Sequence, residues 1–135
     1  MESIEPKKVK LYYPGMDVIW KKYYVLTDAQ ADTVKHGDFR MYWRNGERKV
    51  RCFYMHGALD GSYKEYYPSG KPWLLITYKA GVKDGPYCQW YENGQLEIET
   101  HYRDGIEDGP YHEWTPAGRL ITDIPAGHPN LNMED

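Results

Sequence analysis

Five histidines, two cysteines and twenty acidic side chains are the residues of this 135-residue chain that could do acid–base, nucleophilic or metal chemistry. Their spacing does not organise them for it. His36, His56, His101, His112 and His128 form no ligand pattern with one another or with Cys52 and Cys88, whereas a zinc site needs ligands in short, regular pairs. No glycine-rich phosphate loop, no His-Glu-x-x-His and no Gly-x-Ser-x-Gly is present, so the usual sequence signatures of phosphoryl transfer, zinc hydrolysis and serine catalysis are missing. His112-Glu113 is an isolated pair, and Glu97 and Glu99 fall on one face of a strand with no cleft to hold a substrate between them. The expectation is a non-enzyme with no catalytic residue, no cofactor and no metal. Cys52 and Cys88 occupy different repeat positions and read as reduced small hydrophobes.

Two groups of residues point to binding instead. The segment Lys71-Pro72-Trp73-Leu74-Leu75-Ile76-Thr77 is apolar on both faces, where the equivalent strand one unit later carries Glu97 and Glu99 in place of Trp73 and Leu75. Large apolar side chains on an otherwise solvated face suit a protein–protein contact, and Trp73, Leu75 and Phe53 are the candidate partner-binding residues. The competing explanation is that a terminal segment folds over them. The second group is basic: Arg44, Arg48, Lys49 and Arg51, with lysines 7, 8, 10, 21 and 22 nearby. It forms a candidate patch for an anionic partner such as phospholipid, nucleic acid or an acidic protein face, or else a solvated edge. The acidic residues of the second half argue against the whole length tracking a phosphate backbone.

The elements that must carry these residues follow from internal repetition, which is sought first because it decides the fold. Gly37, Gly61, Gly85 and Gly109 recur every 24 residues, as do Gly46, Gly70, Gly94 and Gly118, and Gly57, Gly81 and Gly105. Aromatic columns share the period: Phe39, Tyr63, Tyr87, Tyr111; Tyr42, Tyr66, Trp90, Trp114; and Tyr54, Tyr78, Tyr102. The units are 37–60, 61–84, 85–108 and a shortened 109–124. Each begins with a short aromatic strand, turns at Asn-Gly, Ser-Gly or Ala-Gly, and returns as an alternating strand. Val50/Cys52/Tyr54, Leu74/Ile76/Tyr78 and Ile98/Thr100/Tyr102 take one face, and Lys49/Arg51/Phe53, Trp73/Leu75/Thr77 and Glu97/Glu99/His101 the other. A second turn, as at Lys83-Asp84-Gly85-Pro86, leads to the next hairpin. One hairpin is marginal alone, so stacked hairpins that lay each aromatic against its equivalent are expected. Two strands per unit at about 4.8 Å make four units a rod of about 40 Å. The aromatic columns could be a stacking platform for bases, but their recurrence wherever packing needs them favours a core role.

Gly-Ser-Tyr-Lys-Glu-Tyr-Tyr-Pro-Ser-Gly-Lys at 61–71 and Gly-Pro-Tyr-Cys-Gln-Trp-Tyr-Glu-Asn-Gly-Gln-Leu at 85–96 resemble units of the MORN-repeat variant family, as does Tyr-Lys-Ala-Gly-Val-Lys-Asp-Gly at 78–85. The resemblance covers about residues 37–122. It implies an all-β, single-layer antiparallel β-hairpin solenoid with a binding or scaffolding role and no shared catalytic residues. Bacterial relatives are commonly described as antitoxin-like, and similar arrays occur in large DNA viruses. Residues 1–36 fit the repeat poorly and are expected to form an N-terminal segment with a degenerate cap, Tyr12-Tyr13-Pro14-Gly15 being a decayed hairpin tip. Residues 125–135 are expected to be an irregular tail.

Composition narrows the class. Fourteen Tyr against two Phe suit a thin structure in which rings are buried while hydroxyls stay wet. No run of eighteen apolar residues is present and the N-terminus lacks the apolar stretch of a signal peptide, so a cytoplasmic location, or a virion if the source is viral, is expected. The net charge of −3 conceals a polarity: residues 1–60 carry eleven Lys/Arg against eight Asp/Glu, and residues 61–135 carry six against twelve. The function expected is protein–protein interaction as a structural or scaffolding component of a larger assembly. An antitoxin-like inhibitor and a membrane-surface adaptor acting through the basic half are the alternatives. The partners expected are other proteins, with an anionic membrane and self-association left open, and not a small-molecule substrate or a nucleic acid.

Overall fold

The computed structural model describes residues 5–30 and 32–126. Twelve strands form one antiparallel sheet and no helix occurs among these residues. The strands are β1 (Lys7–Tyr12), β2 (Ile19–Thr27), β3 (Thr33–Tyr42), β4 (Arg48–Met55), β5 (Ala58–Leu59), β6 (Gly61–Tyr66), β7 (Pro72–Lys79), β8 (Val82–Trp90), β9 (Leu96–Arg103), β10 (Ile106–Glu107), β11 (Tyr111–Trp114) and β12 (Leu120–Ile124). Their order across the sheet is β1-β2-β3-β4-β6-β7-β8-β9-β11-β12, with β5 on β4 and β10 on β9. Hairpins therefore follow one another in chain order, as the 24-residue period predicts, and the expected single-layer solenoid is what the chain forms.

The two turns of each unit have different chemistry. At the tip, Trp43, Tyr67, Tyr91 and Thr115 each accept an N–H from the glycine three residues on, as Gly46 N–H does to the Trp43 carbonyl at 2.9 Å. At the other end, the sequence points to a turn around Lys83-Asp84-Gly85-Pro86, but those residues lie inside β8. The chain reverses earlier, at Ala80-Gly81, with φ of 50° and 84° and Lys79 directly opposite Val82. Two consecutive residues with positive φ give a tight turn whose twist matches the strands it joins, so the reversal needs no more than this pair. His56-Gly57 and Asp104-Gly105 repeat it. The Gly109 column position has a different cause: a Cβ there would come within 2.4 Å of the His101 Cβ, so the close approach of backbone to β9 admits only glycine.

Alternation sorts the faces as expected. Val50, Cys52, Leu74, Ile76, Thr100 and Phe39 are the buried side chains, all on one face. The cluster around Phe39, Val50 and Cys52 draws in Tyr23, Met41, Tyr54, Leu59 and Tyr63. Cys52 is only 1% exposed, and burial, with the Asp38 carboxylate adding to it, pushes its thiol up to about 12. Cys88 lies on the opposite face, two strands beyond β6, and both cysteines are free.

The units are not joined by aromatic equivalents stacking on each other throughout. Ring pairs mostly form inside a unit, Phe39–Tyr54, Tyr63–Tyr78 and Tyr87–Tyr102, with centroids 5.7, 6.3 and 5.8 Å apart. Between units the rungs are hydrogen bonds from a ring to a backbone carbonyl. Trp43 Nε1 donates to the Tyr66 carbonyl at 3.1 Å, Tyr67 Oη to that of Trp90 at 2.5 Å and Tyr91 Oη to that of Trp114 at 2.7 Å. Equivalent aromatics on this tip column are two strands, about 10 Å, apart, beyond the range of ring stacking, but a polar ring atom still reaches the neighbouring carbonyl. Asn45 and Asn93 add a tip-to-tip bond to the carbonyls of Pro68 and Pro116, at 2.9 and 2.8 Å. At the other end, Asp60 Oδ1 accepts the Ala80 N–H, Asp84 Oδ1 the Asp104 N–H, and His36 Nδ1 the His56 N–H at 3.0 Å. The Asp column and His36 thus serve the turn.

The same rung extends to the N-terminal segment. Tyr13 Oη donates to the Tyr42 carbonyl at 2.6 Å, so Tyr13 stands where Trp43, Tyr67 and Tyr91 stand in later units. Residues 7–27 are a hairpin of the same sheet, with β2 as its return strand from Ile19 to Thr27. Its tip is longer, closed by Tyr13 N–H to the Val18 carbonyl, which is why the 24-residue frame fails there. β1 is an open edge bearing Lys7, Lys8 and Lys10, charges of the kind that discourage edge-to-edge pairing. Of the expected C-terminal tail only residues 125 and 126 are described, and the rest lies outside the described residues.

Candidate interaction face

The face opposite the core is organised by register. In an antiparallel sheet, residues directly opposite on neighbouring strands point the same way. Lys10 stands opposite Lys22, Lys22 opposite Arg40, Arg40 opposite Arg51, and Arg51 opposite Lys64. Five cations therefore run in one straight row across five adjacent strands. The row continues through Leu75 and Cys88 and ends in Glu99, His112 and Asp123. The charge asymmetry of the sequence becomes a line on one surface: basic at the N-terminal end, apolar in the middle, acidic at the C-terminal end.

Like charges directly opposite destabilise a sheet, so this row is not one that folding requires. Along β1–β6 the same face holds one carboxylate, Asp38. Its Oδ2 meets Arg40 Nε at 2.8 Å, while its Oδ1 faces Arg51 Nε at 3.8 Å, and neither of the latter atoms has a hydrogen-bond partner. Lys10, Lys22 and Lys64 have no ion pair among the described residues. At the acidic end His112 is held between Asp123, 3.1 Å from Nε2, and Glu99, 3.9 Å from Nδ1. His112-Glu113 does not act as a pair: Glu113 is on the core face, accepting from Tyr111 Oη at 3.0 Å.

The candidate patch Arg44, Arg48, Lys49 and Arg51 divides. Arg44, Arg48 and Lys49 lie over the rings of Tyr13, Tyr66 and Trp43, at 5.5, 5.1 and 4.6 Å from the centroids, an attraction worth about 0.5–1 kcal/mol at exposed sites. Only Arg51 belongs to the row of cations. The sequence groups Lys10 and Lys22 with Arg51 but gives no sign of Arg40 and Lys64, the two cations directly opposite it.

Of the candidate partner-binding residues, Phe53 is 40% exposed and Trp73 and Leu75 are half-buried. All three share the face of the charged row. Leu75 is in the row itself, between Lys64 and Cys88. Trp73 leans on Tyr67, with ring centroids 6.3 Å apart. No described terminal segment lies over them, since β1 and β12 are the two edges of the sheet. An open depression of about 190 Å³ beside them is lined by Arg51, Phe53, Ser62 and Lys64. Such surfaces offer charge and apolar contact rather than enclosure.

Among the described residues no group of three His, Cys, Asp or Glu side chains is placed to hold a metal ion, and no helix is long and apolar enough to cross a membrane.

A sheet built from stacked hairpins in register, with tip-column rungs between units, defines a β-hairpin repeat protein. The MORN repeat variant family model matches residues 35–56, 59–80 and 83–104, three consecutive repeats spanning more than half of the chain, and the chain belongs to that family. No curated protein matches it. Repeats of this family are interaction repeats for proteins and membranes, and the family is not a catalytic one. The matched frames start two residues before the glycine-based units and keep the same 24-residue step.

Proposed function

We propose that the chain is a non-enzymatic interaction protein that scaffolds a larger assembly, binding a protein partner through the face that carries Phe53, Trp73 and Leu75. The observation that supports this reading is the straight row running from Lys10 to Asp123, with its apolar middle. It sets aromatic and aliphatic anchors beside unpaired cations on a sheet one layer thick. In this reading the N-terminal hairpin lengthens the array and adds two cations to the row, while residues 37–124 supply the anchors.

Mass spectrometry of what co-purifies with the tagged protein from its native source tests the reading. Structural proteins recovered in fixed ratio are expected; no specific protein above background would contradict it. The row of cations also supports a second reading, attachment to an anionic membrane surface, which predicts salt-sensitive sedimentation with anionic vesicles. No binding at low salt would dispose of that reading alone.

A further inference from the structure

We propose that the charged face docks a second copy of this chain, face to face and antiparallel, about a two-fold axis running along β7. The proposal rests on the interaction role given to this face and names its partner.

The argument starts from spacing. The row presents one side chain per strand, about every 4.8 Å. An extended peptide laid along it would offer same-side residues about 6.6 Å apart and fall out of step within a few positions. A surface that stays in step over the whole row is another β-sheet with its strands aligned, and sheets pack face to face with strands within about 30°. The chain carries a sheet of that period with the opposite charge at its other end.

The two-fold axis then fixes the pairs. Reversing the strand order about β7 sets β4 against β9 and β2 against β12 of the other copy. Arg51 meets Glu99, and Lys22 meets Asp123. Beside the row, Lys49 meets Glu97, so three cation–carboxylate pairs form, each occurring twice. At the axis Leu75 meets Leu75 and Trp73 meets Trp73, which places the apolar middle where an interface core belongs. His112 falls opposite Arg40, and its own carboxylates Glu99 and Asp123 flank that contact. Asp38 stays with Arg40 and Arg51 of its own copy. An axis along the row would instead set each cation against itself, so the charges select the antiparallel arrangement.

The size is adequate. Nine overlapping strands at about 4.8 Å, each giving about 20 Å of length, cover about 850 Å² per copy, against about 800 Å² per partner in a standard interface. β1 overhangs at each end and leaves Lys10 outside the contact.

Sedimentation velocity on the full chain tests this, with circular dichroism to establish that each variant is folded. The wild type is expected to sediment as a dimer at low ionic strength and to dissociate at high salt. Arg51→Glu and Glu99→Arg are each expected to be monomers. Mixed in equal amounts they are expected to form a dimer again, because both 51–99 contacts of the mixed dimer then join opposite charges. A monomeric wild type, reversals that leave the dimer intact, or a mixture that stays monomeric would overturn the proposal. Should a reversal prevent folding, Leu75→Cys combined with Cys88→Ser gives a second readout: sheets packed face to face lie about 10 Å apart, too far for a disulfide, but a short bismaleimide is expected to link two copies through residue 75, and no cross-link would overturn the proposal. A monomer that still captures a different protein through the same face would refute self-docking and leave the interaction role standing.

Discussion

Tyr91 Oη donates to the Trp114 carbonyl one repeat further along, at 2.7 Å, the bond that Tyr67 makes to Trp90 at 2.5 Å. These two hydroxyls occupy the column that makes the rung from one unit to the next. Tyr67→Phe is expected to lower unfolding stability by about 0.5–1.5 kcal/mol, the net worth of one intramolecular hydrogen bond. Urea titration checks it, and an unchanged midpoint would assign the rung no role in joining units.

Cys52 fills the tightest point of the core. Cys52→Ser exchanges a buried thiol for a more polar hydroxyl that must be taken out of water and is expected to cost about 1–3 kcal/mol. With its thiol held near 12, the native cysteine is expected to resist alkylation at pH 8 while Cys88, only partly buried, reacts sooner. Mass spectrometry of the timed labelling reaction distinguishes the two sites; equal rates would contradict the burial described here.

Stability is expected to fall on the alkaline side. The Cys52 thiol ionises near 9.0 when unfolded and near 12 when folded. Tyr63 and Tyr111 are raised in the same direction, by burial first and then by their hydrogen bonds to Glu65 and Glu113. Above pH 9 the unfolded chain therefore binds fewer protons than the folded one, and unfolding becomes easier as pH rises. The contribution is complete below pH 9 and declines toward 12. Melting temperatures between pH 7 and 11 test the sign, and a rise would refute it.

His36 does at its turn what Asp60 and Asp84 do at theirs. His36→Asp is expected to keep the acceptor for the His56 N–H and leave stability within about 0.5 kcal/mol, whereas His36→Ala loses it and costs about 1 kcal/mol. Thermal melting of both variants separates this from a merely steric role, under which the two would behave alike.

Much of the fold is legible in the sequence because glycine columns mark where the chain must turn, and alternation within each returning strand then fixes the buried face. Val50, Cys52, Leu74 and Ile76 fall where that reasoning puts them. The N-terminal hairpin was harder to see, because Tyr13 lies 30 residues before Trp43 rather than 24 and the tip at 13–18 is longer. The charged row was hidden for a different reason. Its members belong to different strands and their spacing alternates: Lys64 is 13 residues after Arg51, Leu75 is 11 after Lys64, and Cys88 is 13 after Leu75. The two steps add up to one repeat, so the signal was present, but it appears only once the turn at Ala80-Gly81 sets the register. A reading that put the turn at Asp84-Gly85 could not align them. Proximity in sequence instead groups Arg44 and Arg48 with Arg51, although these two lie over the rings of Tyr13 and Tyr66 and outside the row.

The most direct test of the interaction face compares what three proteins capture from the native source: the wild type, Trp73→Ala and Arg51→Glu, each quantified by mass spectrometry against an equal amount of folded bait. Trp73→Ala is expected to weaken capture more than it lowers the melting temperature, and Arg51→Glu to weaken it most at low salt. Recovery of the same proteins in the same amounts by all three, or a Trp73→Ala protein that melts far lower while its folded fraction binds unchanged, would contradict the assignment of this face.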